Sequence, residues 1–166
     1  MVDWVRLKLD ADGFDETEFV PYLDRARASG VDFTTMTELD DRLALYELNK
    51  TCSADIPERG EFFTYDEYVA NRIEVPSFRA DGVVLALRDG RWIGMTMTGL
   101  YPGKDTAFTE MTGVLAEERG RGLSLALKVL SIRFVRASGF RWLRTFHHPR
   151  NFSAIGMNRR LGFVDD

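Results

Sequence analysis

A short run rich in arginine and glycine is the part of this sequence best suited to hold an anion. It reads Arg119-Gly120-Arg121-Gly122-Leu123-Ser124, and it joins a strand-like segment to a segment with helical apolar spacing. The first turn of a helix leaves N–H groups unpaired, and its dipole favours negative charge there. The glycines let a phosphate approach the backbone, and the arginines add positive charge. The run therefore predicts a phosphate site, although the same residues would also form an ordinary solvated turn. It lacks the Lys-Ser/Thr pair of a P-loop and the third glycine of a dinucleotide site.

The elements that must position this run are predicted from the spacing of apolar residues. Residues 107–115 have the composition of a strand, residues 121–138 that of a helix, and residues 142–147 that of a second strand. Together they predict a parallel, right-handed βαβ unit. Further helices are predicted at residues 14–29, 40–53, 64–73 and from 151, and further strands at residues 5–9, 31–36, 83–87 and 92–98. This alternation predicts an α/β fold with helices packed on a mixed sheet.

The run and two later motifs together resemble the GCN5-related N-acetyltransferases, the GNAT family. The motifs are Arg119-x-x-Gly122-x-Ser124, then Asn151-x-x-Ala154, then Gly162-Phe163. The family's signature is Gln/Arg-x-x-Gly-x-Gly/Ala, so Ser124 departs from it but is still small. The resemblance covers about residues 31–163. It implies a GNAT-like, mostly antiparallel sheet flanked by helices, with the βαβ unit as the central part that binds the cofactor.

The resemblance also implies that acetyl-CoA is the co-substrate. The N–H groups of residues 121–124 are expected to hold its pyrophosphate, and the strand edge at residues 114–116 is expected to pair with the pantetheine amides. A backbone N–H of the same strand is expected to stabilise the thioester oxygen as that atom gains charge. The residues expected to bind the cofactor are Val114, Leu115, Ala116, Arg119, Gly120, Arg121, Gly122, Leu123, Ser124 and Asn151.

Glu110 is the candidate catalytic base, because an ammonium acceptor must lose a proton before it attacks. It lies on the central strand in phase with Phe108, Thr112 and Val114, and the family often places a Glu or His there. A salt-bridged glutamate at a strand end is the other interpretation. His147 is the second candidate base. A metal site is not expected, because the histidines are adjacent and lack metal-ligand spacing.

Asn158 stands where the family usually has the tyrosine that protonates the leaving thiolate. Asparagine is not an acid, so solvent or another tyrosine, such as Tyr65, would have to serve. The resemblance suggests further residues that border the acceptor pocket: Asp55, Glu58, Phe62, Phe63 and Tyr65. Two functions stay open. Glu110 favours transfer of an acetyl or short acyl group from acyl-CoA to a primary amine, and Asn158 favours a non-catalytic acyl-CoA sensor or assembly domain.

Composition narrows the class of partner. The 166 residues, 45% hydrophobic and 29% charged, predict a single globular domain over residues 1–166. The net charge of −4 disfavours nucleic acid, and a small-molecule or peptide amine is the expected acceptor. No run approaches the ~18 apolar residues of a membrane span, and no signal peptide is evident. The single cysteine, Cys52, rules out an internal disulfide, and a cytoplasmic location is expected.

Residues 1–30 form an extra strand and helix ahead of the family's usual first strand. Family members usually continue past the Gly-Phe motif with one or two closing strands, whereas here only three residues follow Phe163. Residues 2–9 are apolar on one face and basic on the other, as an edge strand would be. We expect them to pair near the place of the closing strands. Pairing within the chain would give a monomer, and pairing across chains, the favoured alternative, would give a swapped homodimer.

Overall fold

The computed structural model describes every residue from Met1 to Asp166. Its strands are β1 (Val5–Asp10), β2 (Val31–Thr35), β3 (Val83–Arg88), β4 (Arg91–Tyr101), β5 (Thr106–Val114), β6 (Trp142–His147) and β7 (Val164–Asp165). They form one seven-stranded sheet in the order β2-β3-β4-β5-β6-β1-β7. Neighbouring strands are antiparallel except β5 and β6, which are parallel. The mixed, mostly antiparallel sheet predicted from the sequence is confirmed.

Five α-helices flank this sheet. They are α1 (Val20–Ala28), α2 (Arg42–Cys52), α3 (Tyr65–Tyr68), α4 (Leu123–Ala137) and α5 (Phe152–Leu161). A π-helical turn, Val69–Ile73, continues α3, and short 3-10 turns lie at Ala80–Gly82, Pro102–Lys104 and Ala116–Glu118. None of the helices combines the length and apolar content that crossing a membrane requires.

Helices α2 and α4 cover opposite faces of the sheet. A Cβ built on Gly113 of β5 would meet Cys52 of α2, whereas one built on Gly94 of β4 would meet Leu127 of α4. Gly94 pairs with Val114, the residue next to Gly113, and neighbouring positions of a strand face opposite sides. The chain therefore buries two apolar cores. One lies under α2, and the other is shared by β1, α1 and α4.

Helix α1 is shorter than the helix predicted over residues 14–29, and it begins at Val20. The Asp15 carboxylate accepts hydrogen bonds from the Thr17 backbone N–H at 3.0 Å and from its hydroxyl at 2.6 Å. Such a local turn competes with helix formation. Pro21 then lies in the first turn, where its missing N–H costs nothing. The first part of the predicted helix was therefore wrong, because side-chain turn chemistry prevails there.

Strand β1 lies near the far side of the sheet, between β6 and β7. It pairs with β6 along its whole length, from Val5 opposite His147 to Asp10 opposite Trp142. The two-residue β7 pairs with its other edge, and Asp166 N donates to the Arg6 carbonyl at 3.0 Å. The predicted position of the amino-terminal strand is confirmed, and its partner is β6 of the same chain. Covering the edge of β6 therefore requires no exchange of strands between chains.

The central parallel pair diverges soon after it begins. Only Thr106 to Phe108 of β5 pair with Trp142 to Arg144 of β6. Beyond that point β5 continues to Val114 along β4 alone. Its other edge, from residue 109 onward, has no strand partner and faces the gap left by β6. This divergence opens the cleft that contains the candidate site.

Candidate active site

The gap between β5 and β6 is the entrance to a cleft of about 1480 Å³. Its walls come from β5, β6, the start of α4 and the start of α5. The cleft brings together eight of the eleven residues predicted to act as the base or to bind the cofactor: Glu110, Val114, Arg119, Gly120, Gly122, Leu123, Ser124 and Asn151. Leu115, Ala116 and Arg121 are not in its wall. The Leu115 N–H donates to the Ile93 carbonyl at 2.9 Å, so it is not free for a ligand.

The glycine-rich turn has the backbone shape that an anion site requires. Gly120 and Gly122 have φ values of 81° and 77°, in the left-handed region that favours glycine. Gly122 is the N-cap of α4, and no side chain caps the helix, so its first N–H groups are available. The ring of Tyr22, from α1, packs against Gly122 where a Cβ would stand. Both the backbone and this close contact therefore demand glycine.

The two arginines of the turn are less free than the sequence suggested. Arg119 Nη1 lies 2.6 Å from Asp55 Oδ2, and its Nε donates to the Val114 carbonyl at 3.2 Å. It thus fastens the end of β5 to the loop after α2. Arg121 is largely exposed, and its Nη1 lies 3.4 Å from Glu118 Oε1. The guanidinium groups are already paired with carboxylates, which reduces the positive charge that they offer to a phosphate.

Glu118 was not anticipated from the sequence. Its buried carboxylate receives the Arg88 guanidinium at 3.1 and 2.9 Å, and this hydrogen-bonded pair holds the pKa of Glu118 below its ordinary value. The bidentate contact joins the end of β3 to the turn ahead of α4. It fixes the approach to the helix. Arg88 and Glu118 are 30 residues apart, so local sequence carries no signal of the pair.

Asn151 has a structural role that the motif alone did not reveal. Its side chain caps α5 by accepting a 3.4 Å hydrogen bond from the Ala154 N–H. Asparagine is among the preferred N-cap residues. Because α5 forms one wall, this cap also fixes the border of the cleft.

Glu110 sits in a β-bulge. In the ladder with β4, Met97 pairs with Met111 and Thr98 pairs with Thr109, so Glu110 is an extra residue. A bulge bends a strand and re-aims a side chain, and bulges are common beside active sites. The Tyr101 hydroxyl donates to Glu110 Oε1 at 2.8 Å. The carboxylate is therefore held by a tyrosine rather than by a salt bridge.

The sequence predicted that Glu110 shares a face of β5 with Thr112 and Val114, and because of the bulge it does not. Thr112 pairs with Thr96, and its Oγ1 lies 3.0 Å from that residue's Oγ1. Val114 lies with Leu127 of α4 beside the position where a Gly94 Cβ would stand. Thr112 and Val114 therefore face α4, whereas Glu110 turns towards Tyr101. Strict alternation from Phe108 to Val114 was wrong, because the inserted residue shifts the pattern.

A second cavity, of about 530 Å³, lies on the other side of Glu110. It is bounded by the π-helical turn after α3, the segment that follows it, and the end of β4. Arg72, Tyr101, Lys104 and Glu110 border both this cavity and the larger cleft. Glu110 is therefore one of four residues that line both spaces.

Several buried polar side chains meet at the floor of the cleft, and no sequence pattern indicated that they lie together. Lys128 of α4 is 1% exposed, and burial lowers its pKa to about 7. Its Nζ lies 3.3 Å from Thr109 Oγ1. Burial, and next the charge of Lys128, lowers the pKa of His147 to about 4, so that imidazole is neutral at physiological pH. His147 Nε2 lies 2.8 Å from Asn158 Nδ2, and Asn158 Oδ1 is buried without a partner.

Both histidines border the cleft, although neighbouring residues of a strand face opposite sides. Strand β6 ends at His147, so strand alternation no longer governs His148. His148 Nε2 lies 2.7 Å from Glu58 Oε2, and its Nδ1 accepts from the Arg150 N–H at 3.1 Å. Both ring nitrogens therefore have hydrogen-bond partners, and His148 stabilises the turn between β6 and α5.

The residues suggested for an acceptor pocket are used elsewhere. Phe62 and Tyr65 pack against Tyr46, with ring centroids 5.7 and 5.6 Å apart, and Phe63 packs near Tyr68. These aromatic side chains support the core beneath α2. Of that set only Asp55 borders the cleft, and it is paired with Arg119. Cys52 is buried, and burial raises the pKa of its thiol to about 12, so it is not a nucleophile.

A mixed sheet whose central parallel strands diverge beside a glycine-rich helix start defines the class of GNAT-fold proteins. The chain belongs to the family described as "Acetyltransferase (GNAT) family", whose model matches residues 42–163. The match includes the bulge, the turn and the α5 motif. It omits β1, α1 and β2, which lie ahead of it.

The chain is similar to curated proteins that carry the name mycothiol acetyltransferase. The protein of Thermobispora bispora is 31% identical over 140 residues, covering 81% of this chain and 47% of the relative. That of Streptomyces coelicolor is 28% identical over 135 residues, covering 81% of this chain and 43% of the relative. The chain therefore spans less than half the length of these curated relatives.

Solved structures share the fold. The ribosomal-protein-S18-alanine N-acetyltransferase of Escherichia coli superposes with a TM-score of 0.65 at 17% identity, covering 82% of this chain and 79% of that one. A tandem GNAT protein from the clavulanic acid biosynthesis pathway has a TM-score of 0.65 at 20% identity, covering 99% of this chain and 50% of that one. At these identities the likeness concerns architecture alone.

Proposed function

We propose that this chain transfers an acetyl, or another short acyl, group from acyl-CoA to a primary amine. The observation that carries the proposal is the unpaired edge of β5 beyond Phe108, which runs along the cleft towards the Gly120–Gly122 turn. An extended chain with amide groups can add to such an edge as a further strand does. The pantetheine arm of CoA is such a chain, and its pyrophosphate would then lie at the start of α4.

Other groups of the cleft fit the same ligand. Asn158 Oδ1 is buried and lacks a hydrogen-bond partner, a costly arrangement unless a ligand donates to it. The pantetheine arm carries amide N–H groups that can do so. Phe152 is 76% exposed at the start of α5 and borders the cleft, where an aromatic ring offers a stacking surface for a base.

Few residues of this chain take part in the proposed reaction. Glu110 lines both cavities, and its carboxylate takes one proton from the acceptor ammonium, so that the free amine can attack the thioester carbon. A backbone N–H of β5 stabilises the charge that develops on the thioester oxygen. The C–N bond then forms, the C–S bond breaks, and the nitrogen releases its second proton to solvent. Because Asn158 cannot donate a proton as a tyrosine would, solvent protonates the departing thiolate.

The names of the curated relatives support acetyl transfer by this chain. They do not identify its acceptor, because the chain covers less than half of each relative. A second function is favoured by Asn158, which removes the family's usual acid. In that alternative the chain binds acyl-CoA without turnover, as a sensor or as one part of an assembly.

Two measurements separate these functions. Calorimetry should detect acetyl-CoA binding, and a CoA-release assay with a panel of primary amines should detect turnover. Binding with turnover supports the transferase. Binding without turnover on any amine supports the sensor, and absence of binding would overturn both.

A further inference from the structure

The smaller cavity beside Glu110 has a distinctive set of charges. Its charged side chains are Arg72, Lys104 and Glu110. Glu110 is the only carboxylate among them, and the proposed function uses it to receive the acceptor's proton. The remaining charge of the wall is positive. A cavity with one anion and two cations is poorly suited to a plain polycation such as a diamine.

Arg72 is the more buried of the two cations. Its side chain is half-buried, and its guanidinium lies 5.3 Å from the centre of the Phe63 ring. It makes no hydrogen bond and no salt bridge, unlike Arg79 nearby, which pairs with Asp81 at 2.9 Å. A half-buried guanidinium that an aromatic ring orients but no acceptor satisfies is prepared for an external anion.

The local backbone presents Arg72 to the cavity. It lies in the π-helical turn Val69–Ile73, which follows the capping box of α3. A π-helical turn displaces side chains from their α-helical positions, and such turns are frequent at functional sites. Arg72 borders both the cavity and the cleft, as does Glu110. One bound molecule can therefore reach both residues.

Resting on the proposed function, we propose that the acceptor carries an anionic group, a carboxylate or a phosphate, in addition to its primary amine. Arg72 binds that anion, with Lys104 at the exposed rim adding to the attraction. Glu110 contacts the amine at the other end of the acceptor. A guanidinium forms two parallel hydrogen bonds with either anion, so the shared chemistry is recognition of a planar or tetrahedral oxyanion.

The test compares acceptors that differ in one group. An α-amino acid, the amide of the same amino acid, an amino alcohol phosphate and a diamine are each supplied with acetyl-CoA. The amino acid or the phosphate should be acetylated with a kcat/KM at least about tenfold above that of the amide and the diamine. A preference for the carboxylate or for the phosphate identifies which oxyanion is used.

The variant Arg72→Gln should raise KM for the anionic acceptor about tenfold or more and leave KM for the amide unchanged. Arg72→Lys should recover part of the loss. Arg79→Gln is the matched control, and it should behave as the unchanged protein does. Thermal melting confirms that each variant is folded.

The outcomes distinguish this inference from the proposed function. Acetylation of amides and diamines as efficient as that of anionic amines would overturn the inference and leave the transferase standing. An equal KM effect of Arg72→Gln on anionic and neutral acceptors would also overturn it, because Arg72 would then act only on the shape of the cavity. If acetyl-CoA does not bind at all, the proposed function is overturned, and the inference that rests on it is overturned with it.

Discussion

Lys128 Nζ donates to Thr109 Oγ1 at 3.3 Å, and this is the only hydrogen bond of a lysine that is 1% exposed. No carboxylate compensates its charge, and burial is the cause of its lowered pKa, about 7. Burial of an unpaired ammonium group opposes folding. Lys128 therefore lowers the stability of the fold at the floor of the cleft, as residues of functional sites commonly do.

Lys128→Met is expected to stabilise the protein by roughly 2–4 kcal/mol at and below neutral pH. Between a pKa of about 7 in the folded chain and the ordinary 10.5, the unfolded chain binds more protons, so stability rises with pH. The gain from methionine should therefore shrink as pH rises through this window. Urea unfolding at several pH values measures it, with the exposed Lys50→Met as control. Equal gains at every pH would contradict this.

His147 is expected to remain neutral far below its ordinary pKa. Its folded pKa is about 4 against 6.5, so the unfolded chain takes up the proton first and stability is lost as pH falls between these values. His147→Asn should remove roughly 1–3 kcal/mol of that loss. NMR titration of the imidazole protons checks the pKa, with His148→Asn to assign the signals. A midpoint near 6.5 would reopen the case for His147 as the base.

Glu110→Gln is expected to lower turnover by roughly 10²-fold or more, because it removes the proton acceptor. The affinity for acetyl-CoA should stay nearly unchanged, since Glu110 lies beyond the β5 edge that the pantetheine follows. Calorimetry and the CoA-release assay measure the two quantities separately. Glu61→Gln, at an exposed loop position, is the control. Full turnover in the glutamine variant would place the base elsewhere.

Ser124→Asp is expected to weaken acetyl-CoA binding about tenfold or more, because it sets a negative charge beside the pyrophosphate. An aspartate in the first turn of α4 also favours the helix, so the variant should stay folded. Gly122→Asp is a poorer test, because Tyr22 occupies the space of its side chain. Ser124→Ala is the matched control and should bind normally. Unchanged affinity in the aspartate variant would exclude this turn as the phosphate site.

Local chemistry explains what could be predicted from the sequence. Thr64 and Glu67 form a capping box at the start of the helix predicted from residue 64, with hydrogen bonds of 3.2 and 2.8 Å. Asp89 and Gly90 adopt positive φ values of 51° and 78°, as a tight hairpin turn requires. Each of these features is specified by residues a few positions apart. The order of strand, glycine-rich turn and helix was predictable for the same reason.

Features of the candidate site that depend on distant residues were not predictable. The bulge at Glu110 exists only relative to the register of β4, so no pattern within β5 could reveal it. Arg119 meets Asp55 across 64 residues, and the pairing changes its availability to a phosphate. Lys128 did leave a local signal, because it interrupts the apolar face of α4. That signal indicates an unusual residue without showing its neighbours.

The position of β1 has a consequence for how the protein is made. The ribosome synthesises β1 before any other strand, yet β6, the strand that β1 pairs with, begins only at Trp142. Until residues 142–147 emerge, β1 has no edge to join, and the apolar residues of β1 and α1 lack much of their core. Closing so long a loop is entropically costly and slows folding. During translation β1 and α1 therefore stay without their partners until β6 has emerged.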